Sequence, residues 1–364
     1  MITKFYHPRI GGVETTVKEI CENLVREGHE CTVLTQDKEL HGEETIEGVR
    51  VIRFPMSPRI FGGMNSLLGK YLKRELASKH YDIVHIHSYH ILLSAQAAYI
   101  CCKTGTPYVF SAHYHGKGHT PFRDMAFKAY HVAGKKVIYC SEKLLAVSEY
   151  EKALLLRDFP DIEGGISVIP SGVKQFPPLD VERRSDTLLY VGRVMPYKGI
   201  DHTLEAIAFL RKQGFETKLR IVGGGPAERE LKEMSRRLGV EDSVTWLGDL
   251  DDDSLNREYR SAGALVLLSS AEAYGLVVAE AMTCGTPAIV AKKEALVEFL
   301  SEPGCVGIDF PPKTETIAWT FRDVLKGRMA TKVGPFSDKI APWSRIAERY
   351  EALYKDVVAA RDRA

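Results

Sequence analysis

No run of 18 apolar residues occurs in this chain of 364 residues, which excludes a membrane-spanning helix of ordinary length. The N-terminus lacks the charged, apolar and small-residue regions of a signal peptide. The seven cysteines form no C-x-x-C, and two of them are the adjacent pair Cys101-Cys102. An odd, unpatterned set argues against a disulfide framework and for reduced thiols in the cytosol. No G-x-G-x-x-G follows a strand with an acidic residue about 20 positions later, so a nicotinamide oxidoreductase is excluded as the leading reading. The net charge is only +1, which removes any general bias toward nucleic acid. There is no repeat at solenoid spacing and no low-complexity tract. None of these absences excludes binding at a membrane surface.

The residues present describe two domains. The length suits two ordinary cores, and 45% hydrophobic with 27% charged residues is the composition of a globular protein. Short apolar runs alternate with helical patterns, which predicts parallel βαβ units. Strands are predicted at 31–35, 49–54, 83–87, 108–110, 137–140 and 166–169, then at 187–191, 218–222, 244–247, 264–268 and 288–290. Residues 170–178 carry turn formers and no period, which makes them the linker. From Trp343 onward Ile346, Tyr350, Leu353, Tyr354 and Val357 share one helical face. The expected organisation is α/β: a Rossmann-like domain over 1–172, completed by the helix 343–364, and a second over 173–342. Charge is unevenly distributed: residues 51–140 sum to about +9 and hold eight of the twelve histidines.

The most informative stretch is Glu272-Ala-Tyr-Gly-Leu-Val-Val-Ala-Glu280, closed by Gly285 and Pro287. A helix beginning near Leu276 would leave free N–H groups from about Gly275 to Val278, an anion site, with carboxylates on either side to accept bonds from sugar hydroxyls. Phosphate between two polyols is a nucleotide-sugar; a carboxylate pair around an apolar helix can equally be a cap and a solvated face. Two further clusters follow predicted strands, where ligands bind in open α/β sheets. Gly192-Arg193 to Lys198-Gly199 places two cations where they could neutralise a leaving diphosphate without a metal, or where they are plain surface charges. Pro8 to Gly12 opens a helix running to about Glu27 with paired glycines that would admit a phosphate or sugar. A third glycine turn is Gly223-Gly-Gly-Pro226.

His113 lies just past the strand 108–110, either facing a cleft or in a basic surface loop. His85, His87, His90, His115 and His119 invite a zinc reading, but their separations match no usual ligand set, so no metal is expected. Asp251-Asp-Asp253 suits the capping of a helix near Ser254 better than metal binding.

Together these motifs, with Asp82-Ile-Val-His-Ile-His87, Ile169-Pro-Ser-Gly172-Val and Tyr190-Val-Gly-Arg193, resemble the retaining glycosyltransferases of family 4, with GT-B architecture. They occur in family order over nearly the whole chain. The resemblance implies two facing Rossmann-like domains with a C-terminal helix crossing back to the first. It implies that Arg193 and Lys198 hold the donor diphosphate, Glu280 the ribose and Glu272 the transferred sugar. Main-chain N–H groups of Tyr274, Gly275, Leu276 and Val277 would close on sugar and phosphate. His113 matches the active-site histidine, and Gly11-Gly12 the phosphate-side glycine loop. The donor would be a nucleoside-diphosphate sugar, no cofactor or metal would be required, and no nucleophilic carboxylate is assigned.

The chain departs from the family pattern at three places. Only Met1-Ile2-Thr3 precedes Lys4, so the expectation is a short central strand or a start lying upstream, which intact mass of the native protein would distinguish. Lys174 stands where Asp is usual, and Ala291-Lys-Lys-Glu294 replaces small residues near the donor. Residues 59–74 mix large apolar side chains with cations, which suits either docking on anionic lipid or an ordinary basic helix edge. The leading reading is thus a cytoplasmic retaining transferase, peripheral on the membrane if that stretch docks. Its acceptor would be a hydroxyl compound, with lipid-linked and inositol-phospholipid acceptors as candidates. A nucleotide-sugar 2-epimerase or a non-catalytic nucleotide-sugar binder are the alternatives.

Overall fold

A computed structural model describes the chain except residues 10, 57–63, 79–80, 117–129, 131–133, 163–164, 331, 362 and 364. The chain divides into two compact units, Met1–Gly172 with Pro342–Ala364, and Val173–Ala341.

The first unit is built on strands β1 (Thr32–Asp37), β2 (Gly42–Ile46), β3 (Val49–Pro55), β4 (Val84–His87), β5 (Tyr108–Ser111), β6 (Lys143–Ala146) and β7 (Ile166–Val168). They lie in two runs, β1-β3-β2 and β4-β5-β6-β7, parallel except for the hairpin partner β2. Ile2 bridges Leu34 on one side and Ile86 on the other, so residues 1–3 occupy the seam between the runs. Helix α1 (Gly12–Arg26) buries Val17, Ile20, Cys21 and Leu24 at helical spacing. It packs against the last helix, which returns from the far end of the chain. Helices α2 (Ser66–Ser78), α3 (Leu92–Thr104) and α4 (Glu149–Asp158) complete the described layers.

Two sequence expectations fail here. Residues 134–139 are helical rather than a strand over 137–140, and the strand of that unit is Lys143–Ala146 instead. A four-residue apolar run cannot distinguish a buried helix turn from a strand, and Leu144-Leu145-Ala146 has no β-branched residue to signal one. Strand β2 also went unpredicted, because its residues are almost wholly exposed and polar.

The second unit is a six-stranded parallel sheet in the order β10-β9-β8-β11-β12-β13. Its strands are β8 (Arg184–Val191), β9 (Lys218–Val222), β10 (Val244–Gly248), β11 (Ala262–Leu267), β12 (Ala288–Ala291) and β13 (Cys305–Ile308). The crossovers are α5 (Ile200–Lys212), α6 (Glu228–Arg237), α7 (Asp252–Ser261) and α8 (Leu276–Thr283), followed by a 3₁₀ segment Glu294–Ser301 and α9 (Thr314–Leu325). Strand β11 is buried along its whole length, as both faces of a parallel sheet require. The order reverses between β8 and β11. Such a switch point opens a crevice beyond the carboxyl ends of those two strands. Helix α10 (Trp343–Arg361) belongs to the first unit and packs on α1.

Candidate active site

The crevice at the β8/β11 switch point is lined by the loop 192–199 after β8 and the loop 268–275 after β11. The first of these is held almost entirely by main chain. The N–H of Val194 donates to Gly224 O (2.9 Å) and that of Gly192 to Val222 O (3.0 Å), so the triple-glycine turn lies flat against it. A Cβ at Gly223 would collide with the carbonyl of Gly192. Tyr190 Oη donates to Arg193 O at 2.8 Å. Gly199 is left-handed (φ +75°), and a Cβ there would run into Leu268 O, so only glycine allows the two loops to meet. The N–H of Ser270 donates to Tyr197 O at 2.9 Å, which ties them together.

On this frame Arg193 is exposed, with Nη2 3.4 Å from Tyr197 Oη. Lys198 is largely buried and its Nζ forms an ion pair with Glu272 Oε1. The sequence separates these two charges by 74 positions; the switch point brings them into contact. The main-chain N–H of Glu272 donates to Glu294 Oε2 at 3.0 Å, a partner the sequence did not suggest. Helix α8 starts at Leu276 behind Gly275 and ends before Gly285 (φ +81°), as its sequence predicts. The N–H of Val278, expected to be free, donates back to Gly275 O at 2.9 Å, whereas those of Leu276 and Val277 precede the first intrahelical bond and point out of the helix start, as anion donors would. Tyr274 turns its side chain inward: its hydroxyl donates to Lys339 O (2.5 Å) and its ring packs on Phe299. Only its main chain remains for a ligand.

Glu280 accepts a 2.7 Å bond from Tyr259 Oη. Burial raises its pKa to about 7, opposed by the Tyr259 bond and by Lys174. Lys174 in turn pairs with Asp252. Tyr259, Lys174 and Asp252 therefore act on the carboxylate; the sequence singled out Lys174 and the run 251–253 but gave no sign that they meet Glu280. Asp251 does cap α7, accepting from the N–H of Ser254 at 2.8 Å.

In the first unit, Gly11 is the extended N-cap of α1 and Gly12 its first residue, with open space where a Cβ of Gly12 would be. His113 is buried and left-handed (φ +45°), a backbone state non-glycine residues hold only when their surroundings impose it. Both neighbours are pinned, Ala112 by main-chain bonds with Tyr89 (2.7 Å) and Leu145 (3.1 Å), and Tyr114 by the side chain of Glu151. This buried carboxylate accepts from the N–H of Tyr114 (2.6 Å) and of Val147 (2.7 Å), at the first turn of α4, where Ser148 caps the N–H of Glu151. Burial raises the Glu151 pKa to about 7 against those two bonds.

His113 Nε2 lies 3.3 Å from His87 Nδ1, and burial, then His115, lowers its pKa to about 4. It is neutral at pH 7. His85 joins Tyr354 Oη (2.6 Å) and Ser111 Oγ (2.8 Å) and lies tilted against His87 with centroids 4.0 Å apart, while His87 stacks on His113 and His90 on His115. The histidines thus form stacked pairs, and among the described residues no group of three His, Cys, Asp or Glu could hold a metal ion. His119 lies outside the described residues. So does the part of 59–74 before Met64. In the remainder Leu68 and Leu72 face the core, whereas Met64 and Leu67 are exposed beside exposed Lys70, Lys73 and Arg74. No helix of the described residues is long and apolar enough to cross a membrane.

Residues 174–336 match the family described as Glycosyl transferases group 1, and residues 10–175 match Glycosyltransferase Family 4. An uncharacterized glycosyltransferase of Methanocaldococcus jannaschii is 30% identical over 89% of this chain and 88% of its own. A D-inositol 3-phosphate glycosyltransferase of Kineococcus radiotolerans is 28% identical over 77% of this chain and 73% of its own. Among solved structures, sucrose-phosphate synthase of Thermosynechococcus elongatus superposes with a TM-score of 0.81 at 21% identity, covering 99% of this chain and 98% of that one. An Anabaena protein in complex with UDP-glucose superposes with a TM-score of 0.69 at 17% identity, covering 100% and 98%. Both families match in chain order, the Methanocaldococcus relative aligns nearly end to end, and the folds agree across the full length. This chain is a family 4, group 1 glycosyltransferase of GT-B fold.

Proposed function

We propose that the crevice of the second unit binds a nucleoside-diphosphate sugar, and that the enzyme transfers the sugar to a hydroxyl acceptor with retention at the anomeric carbon. The observation that carries this reading is the contact of Lys198 with Glu272, beside Arg193 and the first turn of α8. Cations and helix donors suited to a diphosphate adjoin a carboxylate suited to sugar hydroxyls. The Anabaena complex supports the same donor class.

Arg193 and Lys198 stabilise the charge that grows on the departing diphosphate, so the reading requires no metal. The N–H groups of Gly275, Leu276 and Val277 and the main chain of Tyr274 add fixed dipoles. Glu280, oriented by Tyr259, accepts from the ribose hydroxyls, and Glu272 orients the transferred sugar. Retention follows if the acceptor attacks on the face the leaving group vacates, its proton passing to a departing phosphate oxygen. No side chain then serves as nucleophile. The motif match makes neutral His113 the active-site histidine and Gly11-Gly12 the phosphate-side glycine loop. The Kineococcus relative supports a cyclitol phosphate as the acceptor, for which no membrane is needed. The exposed Met64, Leu67 and cations of α2 support a membrane-bound acceptor.

The test is a thermal-shift panel of UDP-, GDP- and ADP-sugars on the wild type and Glu280→Ala, with and without EDTA. One donor should stabilise the wild type, indifferent to chelator, and lose most of that effect in the variant. Binding that requires metal, or no donor binding at all, overturns the assignment. Product anomeric configuration by NMR then tests retention, and co-sedimentation with anionic against neutral vesicles tests the membrane reading.

A further inference from the structure

Resting on the donor-site reading above, we infer that Glu294 is a positioning and specificity residue of the crevice, and that the transferred sugar carries no carboxylate. Glu294 is the first residue of the 3₁₀ segment after β12 and has φ +50°. A non-glycine residue in that region is strained and persists where the surroundings over-determine it. What it does there is accept the main-chain N–H of Glu272 at 3.0 Å. The same segment backs the loop further along, since a Cβ at Gly275 would meet Leu296 at 3.0 Å and Phe299 at 3.3 Å. Residues 272–275, which carry one carboxylate and lead into the anion donors of α8, are therefore shaped from behind by this segment and by one side-chain bond from it.

The electrostatic consequence concerns the substrate. Lysines at 292 and 293 adjoin Glu294 in sequence, but neither neutralises it. Lys292 pairs with Asp309 at 2.8 Å, and Lys293 lies over the ring of Phe310. Among the described residues the cation paired with this group of carboxylates is Lys198, through Glu272. When a diphosphate engages Lys198, Glu272 and the carboxylate of Glu294 bonded to its main chain remain together behind the sugar without that compensation. Two adjacent carboxylates accept bonds from neutral hydroxyls or from an ammonium, and repel a third carboxylate. A uronic-acid donor is thereby selected against, and a neutral or amino sugar is favoured.

The experiment is calorimetric titration of the full chain, as wild type, Glu294→Ala and Glu294→Gln, with UDP, UDP-glucose and UDP-glucuronate. GDP, GDP-mannose and GDP-mannuronate replace them if guanine proves to be the base. Alanine keeps the backbone strain and loses the acceptor; glutamine keeps the acceptor and loses the charge. The free nucleotide should bind all three proteins alike, which also reports that the variants are folded. On the wild type the uronate donor should bind about tenfold or more weaker than the neutral one. Glu294→Gln should narrow that gap while keeping the neutral donor's advantage over free nucleotide. Glu294→Ala should lose the advantage. Equal binding of both donors by the wild type, or an unchanged neutral-donor advantage in Glu294→Ala, overturns the inference. Failure of the wild type to bind any nucleoside diphosphate strikes the donor-site reading instead.

Discussion

The loop after β8 and the loop after β5 solve one problem by two different means. Each must hold a polar residue rigidly at the carboxyl end of a strand. Loop 192–199 relies on glycines so close to neighbouring carbonyls that no side chain fits, and on main-chain bonds to the triple-glycine turn. The loop around His113 has no such glycine at its strained residue and adds to the main-chain bonds of Ala112 the buried carboxylate of Glu151. An anchor made of sterics does not titrate. An anchor made of a buried carboxylate does, so the two units should respond differently to pH and to substitution.

The largest effect is expected at Gly199. Alanine there must place a Cβ against Leu268 O at φ +75°, for a cost of about 3 kcal/mol or more. Thermal unfolding should fall by roughly 6 °C or more, with donor binding lost. An unchanged melting temperature would show that the steric account of this loop is wrong.

Glu151→Gln should have a smaller and pH-dependent effect. The folded-state pKa, about 7, lies above the ordinary glutamate value of 4.5, so the folded protein holds the proton more tightly than the unfolded chain. That stabilisation is fully present below about 4.5 and is lost as pH rises through about 7. Glutamine lacks one of the two acceptors and should cost about 1–2 kcal/mol near pH 5. The cost should shrink by pH 8, where the wild type has lost its proton-linked share. Melting temperatures of both proteins across pH 5–8 measure this, and parallel curves would remove Glu151 as a titrating anchor.

The smallest effect on stability is expected at Glu280, with the opposite sign. Its pKa is likewise raised to about 7, so its ionised form is strained at pH 8. Glu280→Gln should raise the melting temperature there by about 3 °C or less while weakening the donor. A loss of stability at pH 8 would indicate that the bond from Tyr259 outweighs the burial.

Much of the fold is legible in the sequence. Helix α8, its glycine stop, the Asp251 cap and ten of the strand positions follow from local rules that depend on a few adjacent residues. The failures occurred where those rules are silent. Val137 and Ile138 are buried in a helix, Lys143–Ala146 is a strand without strand formers, and Cys305–Ile308 is a strand with a glycine inside it. The first unit's site was the harder to read. No local signal connects Glu151 with Tyr114, which lie 37 positions apart.

By itself the sequence determined the βαβ architecture, the family and the chemical types in each post-strand loop, because periodicity, caps and glycine turns are local. Only tertiary structure decided which charges meet. The reversal of strand order between β8 and β11 brings Lys198 to Glu272, and the return of β12 brings Glu294 behind it. Burial, which no single stretch of chain controls, decided that His113 is neutral and that Glu151 and Glu280 hold their protons up to about pH 7. Electrostatic energies depend on distance and on exclusion of water, and both are set by the packing of segments far apart in sequence.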